Sequence, residues 1–334
     1  MLLVMRRIAI CGWDERAAAL LHALTRSGRW QAVAIGDHRP AALVRARAAT
    51  GLPCYQHLHE MLRVADYDAV LLGTEVDRES LAELVAERGA DLLLRGDVTS
   101  AAALAAAADL AAAGDLRLAV VRPELRRAGL DLLTGLVTGD LDWAPSLVTI
   151  DMGEPQGVVA ALSDVAAIVA RLHATAPTHA VAAAVHPLGD EPSLVAVQAR
   201  HGGSALTTAT ARHTGQAELR IAIDAPAGSA VLEAGPEGTT LKISREGGAR
   251  EQSELVDDDL VTLEVARLND PGAARSDALH AAHEAAFLQA LEASLATGFV
   301  APVHDPGTRG TLRVLEGGRQ TTSPRQGHLR VLEG

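Results

Sequence analysis

The chain has 334 residues, of which 48% are hydrophobic and only 2% aromatic, and its formal net charge at pH 7 is -12. A chain of this length exceeds what one hydrophobic core usually supports, so two domains are expected. The negative charge argues against a nucleic-acid partner, which would require a basic face.

The first third of the chain alternates short apolar runs with segments of helical periodicity. Residues 16–27 show this periodicity, because Ala17, Leu20, Leu21 and Leu24 recur at the i, i+3, i+4, i+7 spacing of one helix face. Regular alternation is typical of a parallel sheet with helices on both faces, a doubly wound Rossmann-like domain. The predicted strands are 7–11, 31–36, 69–73, 91–95 and 116–121, and the predicted helices are 16–27, 39–50, 78–88 and 99–113.

The second half of the chain has one helical segment followed by a run of strand-like segments. This order predicts an α+β domain with a mostly antiparallel sheet, so we divide the chain into domains 1–122 and 123–334. The predicted helices are 158–173 and 276–297, and the predicted strands are 179–186, 193–200, 204–212, 217–224, 229–233 and 238–244.

The two cysteines, Cys11 and Cys54, are too few for a disulfide framework or a cysteine-ligated zinc site. The apolar run near the N terminus is broken by glycine and charge too early for a signal peptide. Asp109 interrupts the best apolar stretch before it reaches the roughly 18–20 residues of a membrane helix. These features predict a cytoplasmic protein without a membrane partner.

The turn after the first predicted strand reads GWDERA at 12–17. In the dinucleotide fingerprint G-x-G-x-x-G/A, the second glycine lets the backbone approach the pyrophosphate. Gly12 and Ala17 match the first and third positions, Trp13 follows Gly12, and Asp14 stands where the second glycine belongs. A carboxylate at a helix N-terminus satisfies the helix dipole itself and repels phosphate. The loop is therefore a weakened nucleotide site.

An acid follows the second predicted strand, where a ribose-binding carboxylate is expected. Asp37 lies 25 residues after Gly12, which suits this role. The alternative is that Asp37 opens the turn 37–40, because aspartate is favoured in turns. His38 and Arg39 would instead suit a 2′-phosphate. NAD and NADP therefore both remain candidate cofactors, with weakened binding.

Three strings, in this order and spacing, resemble the Gfo/Idh/MocA family of NAD(P)-dependent oxidoreductases. They are DAVLLGT at 68–74, SDVAAIVARL at 163–172 and LRVLEGGRQTTSPRQGHLRV at 312–331. The resemblance implies a fourth strand ending in Thr-Pro, a fifth strand leading into Glu-Lys-Pro, and a helix carrying D-x-G-x-H-x-x-D. In that family the lysine, first aspartate and histidine serve proton transfer and substrate hydroxyl binding.

The catalytic lysine implied by this resemblance is absent. Thr74 matches the threonine but no proline follows it, and Arg95, Gly96 and Asp97 stand where Glu-Lys-Pro is expected. The absence does not depend on the alignment, because the only lysine of the chain is Lys242. Arginine stays protonated and cannot replace lysine as a general base. Thr74 and Arg95 remain candidate cofactor-binding positions.

The helix motif is also mostly lost. Asp164 matches its first aspartate, whereas Ala166, Ile168 and Arg171 replace the glycine, histidine and second aspartate. His173 falls on the helix face opposite Asp164. Asp164 is therefore a vestigial catalytic candidate, and the alternative is a helix N-cap or first-turn acid.

A metal site is not expected. His280, His283 and Glu284 lie within about one helical turn. Their order is not H-E-x-x-H and no third ligand is indicated, so an exposed helix face is the ordinary interpretation.

Two classes of function follow from these residues. The first is a non-redox member of the family, either a ligand-binding regulator or a partner subunit of a catalytic paralogue. The second is an oxidoreductase with rearranged chemistry that acts on a sugar or cyclitol-like substrate through Asp164, Arg95 or Arg122. The lost lysine and histidine favour the first.

The strand pattern of the second half predicts association into a homo-oligomer or a complex with a paralogue. One sheet face would be covered by the helices 158–173 and 276–297, while the other meets water or a subunit. The resemblance implies a subunit interface at that open face, whereas a monomer with Thr207, Thr208 and Thr210 facing water is the alternative. Apolar residues recur at a spacing of two in two of the predicted strands: Val195, Val197, Leu219, Ile221 and Ile223. The positions between them hold Ala196, Arg220 and Ala222.

Overall fold

The structure is a computed structural model with two sheets. It describes residues 5–73, 78–96, 100–114, 117–155, 157–173, 176–185, 192–255, 259–269 and 273–304. Of the family-like strings, the C-terminal one lies outside the described residues.

Six parallel strands form the first sheet. They are β1 (Arg6–Cys11), β2 (Trp30–Gly36), β3 (Cys54–Tyr55), β4 (Ala69–Leu72), β5 (Asp91–Arg95) and β6 (Leu118–Val121). Their order is β3-β2-β1-β4-β5-β6. The direction of the order reverses between β1 and β4, and doubly wound folds bind ligands beyond the carboxyl ends of the strands at such a point.

Five helices cover the two faces of this sheet. They are α1 (Glu15–Arg26), α2 (Pro40–Thr50), α3 (Leu58–Val64), α4 (Arg78–Glu87) and α5 (Ala101–Ala112). Successive strand residues point to opposite faces. Ile8 and Ile10 of β1 pack with α1 and α2 on what we call the front face. Ala9 and Cys11 pack on the back face, in the core that contains α3, α4 and α5.

Nine strands form the second sheet. They are β7 (Leu147–Glu154), β8 (His179–Val185), β9 (Leu194–Arg200), β10 (Leu206–His213), β11 (Glu218–Ala225), β12 (Gly228–Gly235), β13 (Gly238–Arg245), β14 (Arg250–Leu255) and β15 (Ala301–Pro302). Their order is β14-β13-β12-β11-β7-β10-β9-β8-β15. The pair β7 and β10 is parallel and the other pairs are antiparallel.

Four helices belong to the second half: α6 (Ala128–Gly139), α7 (Val158–Leu172), α8 (Leu260–Leu268) and α9 (Ala273–Thr297). Helices α7 and α9 cover one face of the second sheet, as predicted. The apolar residues that recur at a spacing of two are all buried on this covered face: Val195, Val197, Leu219, Ile221 and Ile223. The expectation that Thr207 faces water was wrong, because it is fully buried. Thr207 and Thr208 are consecutive in β10 and must point to opposite faces.

Two helices of the second half return to the first sheet. Helix α8 packs against α1, and Val265 and Leu268 join the front-face core. Helix α9 packs against α5 and β6 on the other side. The predicted division at residue 122 stays a prediction, because these contacts tie the two halves together.

The predicted fold class is confirmed, with a parallel Rossmann-like sheet followed by a mixed, mostly antiparallel one. The sequence did not predict β3, α3, α6, β7, β14, α8 or β15. Among the described residues, no helix is long and apolar enough to cross a membrane.

Candidate functional site

The turn after β1 lies at the carboxyl end of the first sheet. Gly12 adopts φ +92°, a left-handed conformation that glycine accepts readily, and its N–H donates to Gly36 O at 2.7 Å. The Trp13 side chain is buried in the front-face core. Ala17 of α1 is fully buried, as expected of the position that packs the helix on the strand.

Asp14 caps α1 with its own side chain. Its Oδ1 accepts a hydrogen bond from Ala17 N at 2.8 Å, and its Oδ2 lies 2.6 Å from Arg95 Nη1. The Arg95 side chain is buried and comes from the end of β5. A Cβ at Gly73 would approach Arg95 Cδ to 2.9 Å, so the absence of a side chain at Gly73 makes room for this arginine. The N-terminus of α1 is therefore capped by the chain's own Asp14 carboxylate, which is already paired with Arg95.

Asp37 follows β2 and is completely buried. Its Oδ2 accepts from Trp13 N at 2.7 Å and from Arg39 Nη2 at 2.8 Å, while its Oδ1 accepts from Arg39 N and Nε. Burial alone would raise the pKa of Asp37, but these hydrogen bonds outweigh it and lower the pKa. The carboxylate is ionised and its two oxygens bind the turn and its neighbour Arg39.

The structure thus brings Gly12, Trp13, Asp14, Ala17, Asp37 and Arg95 together at one end of the first sheet. Thr74, the remaining candidate of this group, lies outside the described residues.

Asp164 lies inside helix α7. The helix begins at Val158, after Gly157 at φ +110°. The interpretation of Asp164 as an N-cap or first-turn acid was therefore wrong, because the apolar run before it is already helical. Asp164 is buried, and its Oδ1 lies 3.5 Å from Arg122 Nε.

Arg122 follows β6 and is the centre of a buried polar cluster. Its Nη1 donates to Glu284 Oε2 at 2.8 Å, and its Nη2 donates to Glu284 Oε1 and to Ser163 Oγ. Its backbone N–H donates to Glu264 Oε1 at 3.2 Å. This arginine therefore contacts side chains of α7, α8 and α9 at once.

Gly96 lies directly against this arginine. A Cβ at Gly96 would stand 2.0 Å from Arg122 Nε and 2.5 Å from Arg122 Cγ. Ser163 Oγ donates to Gly96 O at 3.0 Å, which fixes the chain there. At the position that the resemblance assigns to a lysine, the space for a side chain is thus filled by Arg122, which follows β6.

The burial of Glu284 also differs from what the sequence predicted. The helix face containing His280, His283 and Glu284 was expected to be exposed, but Glu284 is only 3% exposed and both its oxygens bind Arg122. A carboxylate this deeply buried needs an ionic partner. Within the described residues, no group of three or more histidines, cysteines and acids could hold a metal ion.

His173 lies apart from the Asp164 cluster, at the C-terminal end of α7. Its ring stacks on His201 with centroids 3.6 Å apart. Both Nε2 atoms contact Thr207 Oγ1, at 2.9 and 3.0 Å. Burial, and then His201, lower the pKa of His173 to about 3. His173 is therefore neutral near pH 7, and the stacked pair lies against Thr207 of the second sheet.

Sequence reasoning missed Ser163, Glu264 and Glu284 as members of the buried cluster. A signal for them existed in the pattern, since each polar residue interrupts an apolar helix face and lies among buried neighbours. The partner that neutralises each one comes from a distant part of the chain, which periodicity does not reveal.

No protein-family model and no curated protein matches the chain. An oxidoreductase from Agrobacterium radiobacter, in complex with NAD+, L-tartaric acid and magnesium, superposes with a TM-score of 0.74 at 16% identity, over 92% of this chain and 100% of that one. The WlbA dehydrogenase from Bordetella pertussis, in complex with NADH and UDP-GlcNAcA, gives 0.72 at 18% identity, over 90% and 99%. An apo scyllo-inositol dehydrogenase from Lactobacillus casei gives 0.72 at 13% identity, over 91% and 99%. The chain therefore has the two-domain fold of the Gfo/Idh/MocA-type oxidoreductases.

Proposed function

We propose that this chain is a non-redox protein on an oxidoreductase fold, acting as a ligand-binding regulator or as a partner subunit of a catalytic paralogue. The observation that carries the proposal is the cluster at Gly96 and Arg122. The space beside Gly96 is filled by the Arg122 guanidinium, which is bound to Glu284 and Asp164.

Oxidation of a hydroxyl group by hydride transfer needs a side chain that accepts the hydroxyl proton. Arg122 cannot do so, because a guanidinium stays protonated. Asp164 is held in an ion pair with that guanidinium, so its carboxylate is already occupied. The only lysine, Lys242, lies on the second sheet and pairs with Glu233 at 2.9 Å. We infer that the remaining groups do not form a proton-transfer system.

The turn after β1 supports weakened dinucleotide binding. A pyrophosphate at the N-terminus of α1 would meet the Asp14 carboxylate, which already uses the helix N-terminus and Arg95. Asp37 is fully buried, so a ribose would have to displace Trp13 N or Arg39 to reach its oxygens. This arrangement therefore disfavours a bound dinucleotide and weakens its binding.

The open face of the second sheet supports a subunit partner. Small side chains, including Ala183, Ala196 and Thr208, line a shallow depression of about 540 Å³ there. Charged side chains flank it, with Arg212 between Asp151 and Glu218. Alternating charges of this kind can pair with a second copy related by two-fold symmetry. We therefore propose a homo-oligomer or a complex with a paralogue through this face.

The alternative is an NAD(P)-dependent oxidoreductase that acts on a sugar or cyclitol-like substrate. Its support is the fold, and fold alone is a weak guide to chemistry.

A fluorescence and thermal-shift titration with NAD and NADP, each oxidised and reduced, tests the proposal. Trp13 belongs to the turn, so the difference between the wild type and Trp13→Phe isolates its signal from the other two tryptophans. We expect no saturable change at the micromolar concentrations at which dehydrogenases bind these cofactors. Saturable micromolar binding that quenches Trp13 would favour the oxidoreductase alternative.

A further inference from the structure

Six charged residues from α7, α8, α9 and the segment after β6 meet where the first sheet joins the second half of the chain; four are buried and Arg126 and Arg267 are partly buried. We call them the ionic clamp: Arg122, Arg126, Arg267, Asp164, Glu264 and Glu284. None of their side chains is more than 13% exposed.

Glu264 of α8 connects the members of the ionic clamp. It is completely buried and accepts hydrogen bonds from Arg122 N at 3.2 Å and from Arg267 Nε at 3.0 Å. Arg126 Nε lies 2.9 Å from its Oε2. Arg267 also donates to Val120 O of β6 at 2.9 Å. The clamp therefore attaches α8 directly to the last strand of the first sheet.

The clamp is electrically balanced, with three guanidinium groups and three carboxylates. Charges this deeply buried are tolerated only while they are paired. Moving α7, α8 or α9 away from Arg122 would leave charges without partners in an apolar surrounding. Separation of the two sheets is therefore opposed by the desolvation of these groups as well as by lost contacts.

Two further attachments lie on either side of the ionic clamp. On the front face, α8 packs on α1, and Trp30 Nε1 donates to Asn269 Oδ1 at 2.9 Å just after α8. On the other side, α9 packs against α5 and β6. The second half of the chain thus holds the first sheet from both faces, and a hinge at Arg122 would have to break all three attachments.

We infer that the ionic clamp locks the two sheets in a single arrangement, so that they do not open and close relative to each other. Many enzymes gate their reactions by such closure around a ligand. A locked arrangement instead presents one constant surface to a partner or ligand. This inference depends on the clamp and not on whether a dinucleotide binds.

Distance measurement by double electron–electron resonance tests the inference. Spin labels would be attached at Val44→Cys on α2 and Glu251→Cys on β14, both of which are exposed, in a Cys54→Ser background. Cys11 is fully buried and stays. We expect one narrow distance distribution that NAD and NADP, oxidised or reduced, leave unchanged.

Two variants assign the rigidity to the clamp. Asp164→Asn preserves the side-chain shape while removing one charge, and Arg122→Met removes the central cation; each should broaden the distribution at least twofold. Arg220→Met is the matched control, because its ion pair with Glu233 lies on the surface, and it should change nothing. Two distances or a broad distribution in the wild type would overturn the inference. A narrow distribution that survives in Asp164→Asn, which keeps the shape needed for folding, would also overturn it.

Discussion

Gly96 and Arg122 are fitted to each other at the centre of the protein. The guanidinium of Arg122 occupies the space where any side chain at position 96 would begin. The same guanidinium binds Glu284 through two hydrogen bonds, so it is not able to move aside without leaving a buried carboxylate unpaired. The two positions therefore constrain each other, and a lysine at 96 is incompatible with this arginine.

Replacing Gly96 with alanine should destabilise the protein by about 1–3 kcal/mol, because overpacking a well-filled core has roughly that cost. Urea unfolding followed by circular dichroism measures the change. Gly135→Ala is the control, since Gly135 lies in α6 with open space around it and alanine should stabilise that helix by about 1 kcal/mol. If both substitutions had the same effect, the packing of Gly96 against Arg122 would not be the cause.

Replacing Asp14 with glycine should strengthen NAD(P) binding by about tenfold, or 1.4 kcal/mol. The change removes the carboxylate from the N-terminus of α1 and dissolves its ion pair with Arg95. Isothermal titration calorimetry measures the affinity. Glu15→Ala serves as the control, because Glu15 is an exposed acid in the same turn that does not cap the helix. Equal affinities for the wild type and Asp14→Gly would mean that this turn does not face a pyrophosphate.

Periodicity predicted most of the alternating helices and strands of the first sheet, because each apolar face packs on that sheet, but it missed β3 and α3. It did not predict α8, whose apolar residues pack on α1 about 240 positions earlier in the chain. It also missed β7, the strand at the centre of the second sheet. The capping of α1 by Asp14 could be predicted from the sequence, since Asp14 and Ala17 interact within one helical turn. The Arg122 cluster could not be predicted from the sequence, because only the tertiary fold brings its distant members together.

The stacked histidines predict a loss of stability in mild acid. The pKa of His173 is lowered to about 3 in the folded protein, whereas an unfolded histidine titrates near pH 6.5. The unfolded chain therefore binds the proton first. The stabilising contribution of the neutral, buried His173 is fully present above about pH 6.5. The free energy of unfolding then falls by up to about 1.4 kcal/mol per pH unit as the pH drops from there toward 3.

Urea unfolding between about pH 7 and pH 5 measures this dependence, and His173→Gln should flatten it. His179→Gln is the control, because His179 is exposed on β8. Parallel pH profiles of the free energy of unfolding for the wild type and His173→Gln would contradict the assignment of a neutral, buried His173.

At the scale of the whole molecule, the open face of the second sheet should mediate assembly. We expect a dimer in light scattering coupled to size-exclusion chromatography, and we expect Ala196→Glu to dissociate it by placing a charge among small side chains. Val44→Glu, an exposed position on α2, should leave the mass unchanged. A wild-type monomer at tens of micromolar that recovers no paralogue from its host would reject the proposed interface.

We propose that this protein, which has an oxidoreductase fold, has lost hydride transfer, since Gly96 and the occupied Arg122 replace the proton-transfer system. The most direct measurement is the formation of reduced nicotinamide from NAD and NADP with a panel of sugars, polyols and cyclitols, compared between the wild type and Asp164→Asn. We predict that both proteins stay at the rate of the protein-free background. Turnover by the wild type that Asp164→Asn abolishes would contradict the proposed loss of hydride transfer.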